Sequence, residues 1–64
     1  MTITTVNIYR HGGVWCYAAW SGREYDHSDT LPDAESEADA EAEVRKVFPG
    51  AFVRRVSDAA ADAV

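Results

Sequence analysis

The chain has 64 residues, 47% of them hydrophobic, and a net charge of -5 at pH 7. At this size folding buries only about 60% of the surface that the unfolded chain exposes, which excludes a deep substrate pocket but leaves room for a small core. The lone Cys16 excludes an intramolecular disulfide and a cysteine-rich metal site, and points to a reducing compartment.

β-Branched and aromatic residues dominate from Ile3 to Arg10, and the same chemistry resumes from Val14 to Trp20 after His11-Gly12-Gly13. This pattern predicts a β-hairpin. With a three-residue loop, Val6 and Ile8 share a face with Val14, Cys16, Ala18 and Trp20, while Asn7, Tyr9, Trp15 and Tyr17 take the other. A two-residue loop would mix these sets. The three-residue loop is preferred here, because the small side chains of Cys16 and Ala18 leave space for a helix. Ser21-Gly22 is a second turn signal, and Arg23 to His27 is predicted as a third, shorter strand whose acidity suits a solvent-facing edge.

Ser28 to Glu35 is a polar, proline-containing approach to a helix. Ser36 with Asp39 three residues on resembles a capping box, and Thr30 with Asp33 is an earlier candidate. Ala40, Val44, Val47 and Phe48 form a narrow apolar stripe that needs one sheet face to bury it, and Pro49-Gly50 ends the helix. Ala51 to Ser57 is predicted as a last strand. The expected architecture is α+β, in the order β-β-β-α-β: a small antiparallel sheet with one helix packed on one face. Residues 1–57 form a single domain, and 58–64 are expected to be a frayed or disordered tail.

No apolar run approaches the roughly 20 residues that span a bilayer, and the first residues lack the basic and apolar regions of a signal peptide. A cytoplasmic protein without membrane contact is expected.

Charge is the most uneven property. Nine of the eleven carboxylates, Glu24, Asp26, Asp29, Asp33, Glu35, Glu37, Asp39, Glu41 and Glu43, fall in a stretch with no Lys or Arg. From Asp33 to Glu43 they recur at every second residue, so on a helix they rise about 3.0 Å per charge, near the roughly 3.4 Å per phosphate along one DNA strand. The blander reading is an acidic helix start that complements the helix dipole before Arg45 and Lys46 and solubilises a small protein. Against it, like charges at i,i+4 repel, and only Glu41 with Arg45 and Glu43 with Lys46 have helical partners. Direct nucleic-acid binding is disfavoured, because the basic residues it requires sit beside this acid.

Tyr9, Trp15 and Tyr17 form a second candidate surface, an aromatic sheet face for binding a partner or for homodimerisation; the alternative is a minor second core. Catalytic and metal readings find little support. His11 and His27 are read as exposed turn or edge histidines without ligand spacing. A Cys16–His11 pair has nothing to lower the thiol pKa, and Gly12-Gly13 reads as a turn rather than a phosphate loop. No enzymatic activity, cofactor or metal is expected.

A very short, acidic single domain without an active site resembles the small inhibitors that phages and mobile elements direct against bacterial defence, the anti-CRISPR proteins, and among them the small ones acting on type I-C systems. The resemblance lies in size, charge and organisation over the whole chain; no short motif carries it. It implies a DNA mimic whose nine carboxylates occupy phosphate-like positions and block the basic groove of a Cascade surveillance complex. The implied partner is a protein with a basic nucleic-acid-binding surface, met by a monomer or homodimer. A small interaction or antitoxin-like regulatory module using the aromatic face is the alternative.

Overall fold

The computed structural model describes residues 2–57, so the expected tail at 58–64 lies outside the described residues. Four strands and one helix follow in the order β1 (Thr5–His11), β2 (Val14–Ser21), β3 (Glu24–Thr30), α1 (Glu37–Val47) and β4 (Phe52–Arg55). The α+β architecture and the order of elements match the sequence reading. The sheet, in the order β3-β2-β1-β4, is mixed rather than wholly antiparallel, because β4 pairs parallel to β1. Two antiparallel pairings make β3 run in the direction of β1. The helix then carries the chain back across the sheet, so β4 starts from the same end as β1 and runs the same way.

The hairpin register corrects the expected faces. His11 pairs with Val14, so only Gly12 and Gly13 form the loop, with φ of 60° and 78°. Two successive positive φ angles are the mark of a type I′ turn, whose twist matches the flanking strands. Shortening the loop by one residue turns β2 over relative to β1. Val6, Ile8 and Arg10 therefore lie opposite Ala19, Tyr17 and Trp15, and Asn7 and Tyr9 lie opposite Ala18 and Cys16. The expected aromatic face of Tyr9, Trp15 and Tyr17 is divided, with Trp15 and Tyr17 under the helix side and Tyr9 on the other. β3 is longer than expected, reaching Thr30, and a bulge where Ala19 and Trp20 meet it shifts its register.

The helix starts where Ser36 caps it: the Ser36 side chain accepts from the Asp39 N–H at 3.2 Å, and the Asp39 carboxylate reaches back to the Glu35 N–H at 3.2 Å. Thr30 is the last residue of β3 and caps nothing. Ala40 and Val44 are buried against Val6, Ile8, Trp15, Ala19 and Ala51, with Phe48 packed at the margin. Val47, expected in the same stripe, is 64% exposed. The helix ends at Val47 itself, and its cap residue Phe48 already has φ of -126°. Phe48 packs its ring against Tyr17 and His27 on the sheet, whereas Val47, on the last helical turn, stays outside.

Trp15 is buried at the far end of the core, partly under two cations. The Arg55 guanidinium lies 4.9 Å and that of Arg10 5.8 Å from its ring centroid. Such contacts contribute on the order of 1 kcal/mol each. On the opposite sheet face Asn7 is buried and accepts from Arg54 Nε at 2.8 Å.

Val44→Ala removes a fully buried side chain and is expected to lower unfolding free energy by roughly 2 kcal/mol, whereas Val47→Ala should change it by less than about 0.5 kcal/mol. Urea unfolding of both variants checks the contrast; equal losses would place Val47 in the core.

Candidate functional site

The acidic stretch folds into three adjoining pieces. Glu24, Asp26 and Asp29 lie on the edge strand β3, Asp33 and Glu35 on the loop that follows, and Glu37, Asp39, Glu41 and Glu43 on α1. Seven of these nine residues are exposed, and Glu41 and Glu43 are half-buried. The helix begins at Glu37, so the regular two-residue spacing runs along a helical axis for only four charges, not six.

Several carboxylates are engaged within the molecule. Glu41 Oε1 accepts from Arg45 Nη2 at 2.7 Å and from Nε at 3.1 Å, and Glu43 lies 3.7 Å from Lys46 Nζ. The sequence anticipates both pairs from helical spacing. It gives no signal for the third, Glu37 with Arg55 Nε at 3.4 Å, which joins the first turn of the helix to β4. All three pairs are solvent-exposed and contribute about 0–1 kcal/mol each. Asp39 serves the helix cap, and Asp29 Oδ1 accepts from the Thr30 N–H at 2.8 Å. Among the described residues Glu24, Asp33 and Glu35 have no ion pair, so their charge faces solvent uncompensated.

His27 is less isolated than an edge histidine. Its Nδ1 lies 2.6 Å from Asp26 Oδ1 and its Nε2 3.3 Å from the Tyr17 hydroxyl. In the neutral ring, Nδ1–H donates to the carboxylate and Nε2 accepts from Tyr17. The Tyr17 ring meets those of His27 and Phe48 edge-on, each at 5.7 Å between centroids. Burial, and then the charge of Asp29, push the Tyr17 hydroxyl pKa up. Tyr17 is thus a neutral, partly buried wall between the sheet and the acidic loop.

Beside it, Tyr17, Asp29, Thr30, Leu31, Pro32, Asp33, Glu43 and Val47 line an open hollow of about 260 Å³ between α1 and the β3–α1 loop. Three of the nine sequence-predicted acidic residues, Asp29, Asp33 and Glu43, line it from a strand, a loop and a helix.

The sheet face opposite the helix carries a different set. One row across it runs Phe52, Thr5, Trp20 and Tyr25, with Phe52 65% and Tyr25 47% exposed and the Trp20 and Tyr25 rings edge-on at 5.5 Å. Arg54, Asn7, Ala18 and Ser28 form the next row, then Tyr9, Cys16 and Thr30. None of these residues is acidic. Sequence reasoning missed Phe52, Trp20 and Tyr25 as a group because the row depends on the hairpin register and on a parallel partner 47 residues away.

Cys16 is buried on this face, and its Sγ–H donates to the Val14 carbonyl at 3.5 Å. Burial is the main influence that raises its pKa, which opposes the thiolate needed for nucleophilic chemistry. Among the described residues no group of three or more His, Cys, Asp or Glu side chains is placed to hold a metal ion, and no helix is long and apolar enough to cross a membrane.

A raised thiol pKa leaves less thiolate at any given pH. Alkylation of Cys16 by iodoacetamide at pH 8 is therefore expected to be at least about tenfold slower in the folded chain than in urea; equal rates would show an accessible, ionised thiol. No protein-family model matches this chain, and no curated protein or solved structure matches it.

Proposed function

We propose that this protein is a non-enzymatic inhibitor, an anti-CRISPR that acts as a DNA mimic and blocks target-DNA binding by a type I Cascade surveillance complex. The observation that carries the reading is the gathering of nine carboxylates on one edge strand, one loop and one helix, with Glu24, Asp33 and Glu35 in no ion pair among the described residues. A surface of this kind repels nucleic acid and attracts the Lys/Arg-rich groove that nucleic acid occupies. Electrostatic steering would give rapid association that weakens as salt shortens the reach of the charges.

The intramolecular pairs refine which residues carry the charge. Glu37, Glu41 and Glu43 share theirs with Arg55, Arg45 and Lys46. The loop and the start of β3 are then more strongly anionic than the C-terminal half of the helix. A mimic built this way offers an acidic rim rather than one straight row of phosphate-like charges.

A second reading, an interaction module using the open sheet face, is favoured by the exposure of Phe52 and Tyr25. Trp20, Phe52 and Tyr25 take the place of Trp15 and Tyr17 in it, and Tyr9 remains.

Displacement of target duplex from purified type I-C Cascade separates the two. Wild-type protein should compete with the duplex at about 50 mM salt and lose at least tenfold in apparent affinity by about 500 mM. The E24Q/D33N/E35Q variant should be at least tenfold weaker, and Phe52→Ala unchanged. Salt-insensitive binding that Phe52→Ala abolishes would transfer the function to the sheet face, and no displacement at any salt would remove Cascade as the target.

A further inference from the structure

We infer that a hollow on the sheet face opposite the helix is a binding site for a carboxylate carried on an apolar stem. Thr5, Asn7, Trp20, Gly22, Phe52 and Arg54 line it around a volume of about 280 Å³. They come from β1, β2, β4 and the β2–β3 turn, and the strand register sets them in two adjacent rows, Phe52-Thr5-Trp20 and Arg54-Asn7. No acidic residue lines the hollow, although the chain carries a net charge of -5 at pH 7.

Arg54 is the charged group of the site. Its Nε donates to Asn7 Oδ1 at 2.8 Å, and Asn7 is only 7% exposed, so a buried neutral amide anchors the guanidinium. That bond uses one of the five N–H donors that an arginine presents. Arg45, Lys46 and Arg55 each meet a carboxylate of the chain, whereas Arg54 forms no ion pair among the described residues. A guanidinium held by an uncharged partner keeps its charge and its outer N–H groups for an anion from elsewhere.

The second observation does not depend on charge. The Nε1–H of Trp20, in the wall of the same hollow, is buried and has no hydrogen-bond partner. A buried donor left unmade is costly, and buried indole N–H groups usually find an acceptor. Trp20 is half-buried, and an oxygen in the hollow supplies that acceptor after a small turn of the ring. The remaining wall selects among anions. Phe52, 65% exposed, and the Trp20 ring offer apolar surface that a hydrated phosphate leaves unused, while a planar carboxylate matches paired N–H donors and its stem covers the rings.

The test titrates the isotope-labelled full chain with phenylacetate, with its neutral counterpart phenylacetamide and with inorganic phosphate, reading the indole, Arg54 Nε–H and backbone amide resonances. Phenylacetate is expected to bind at least about fivefold tighter than the other two, and to move the Trp20 indole resonance but not that of Trp15. Arg54→Gln should weaken it at least about fivefold, against less than about twofold for Arg23→Gln, which removes the same charge outside the hollow. Trp20→Phe, which removes the N–H donor, should weaken it about threefold, and circular dichroism checks that each variant folds. An acetylated leucyl-phenylalanine with a free carboxylate, run beside its amide, separates the two sources of such a group. Tighter binding of this dipeptide would support the site and assign it to the C-terminus of a partner chain; tighter binding of phenylacetate would support it and assign it to a small organic acid. Binding of phenylacetamide or phosphate as tight as that of phenylacetate, equal losses from Arg54→Gln and Arg23→Gln, an unmoved Trp20 indole resonance, or no binding of either carboxylate would overturn it.

Discussion

The positive φ angles of Gly12 and Gly13 decide which side of this sheet can hold a helix. A two-residue turn puts Val6, Ile8, Trp15, Tyr17 and Ala19 on one face. On that face the small side chain of Ala19 lets the helix approach, and Val6 and Ile8 receive Ala40 and Val44. A side chain at either glycine would strain the turn whatever space surrounds it. Everything else about the surface follows from the position of that helix, since it fixes where the acidic segment runs and which sheet face stays open.

The resulting molecule is electrostatically two-sided. The helix, the loop before it and the edge strand carry the nine carboxylates, while the rows of the open face contain none. Concentrating like charge opposes folding, and the structure offsets this locally. The acidic first turn of α1 sits at the positive end of the helix dipole, Arg45 and Lys46 lie at the other end, and Arg55 reaches Glu37 from β4. Arg55 also lies over Trp15. One guanidinium therefore links core packing with the acidic surface.

The aromatic residues divide in the same way. Tyr17 and Phe48 close the core at the acidic side, where His27 and Asp26 continue the contact out to the edge strand. Trp20, Tyr25 and Phe52 stand in one row on the open side. On that second face Asn7, Cys16 and Ala18 are buried, and the exposed aromatic surface is confined to the edge strands, at Tyr25 and Phe52.

The sequence by itself determined the order of elements, the helix start at Ser36, its stop near Pro49-Gly50 and the anionic character of one contiguous segment. These are local properties, set by capping chemistry, turn residues and charge within a few positions. The tertiary structure decided the faces of the hairpin, the parallel pairing of β4 with β1, the exposure of Val47 and the pairing of Glu37 with Arg55. Each depends on a register or on a contact between distant parts of the chain. Alternation along a strand shows that two faces exist but not which one a neighbouring strand shares, because a single residue gained or lost in the Gly12-Gly13 turn exchanges them. The acidic segment was legible as charge, and the placing of Asp29, Asp33 and Glu43 around one hollow with Tyr17 was not, since no spacing along the chain records how a helix lies across a sheet.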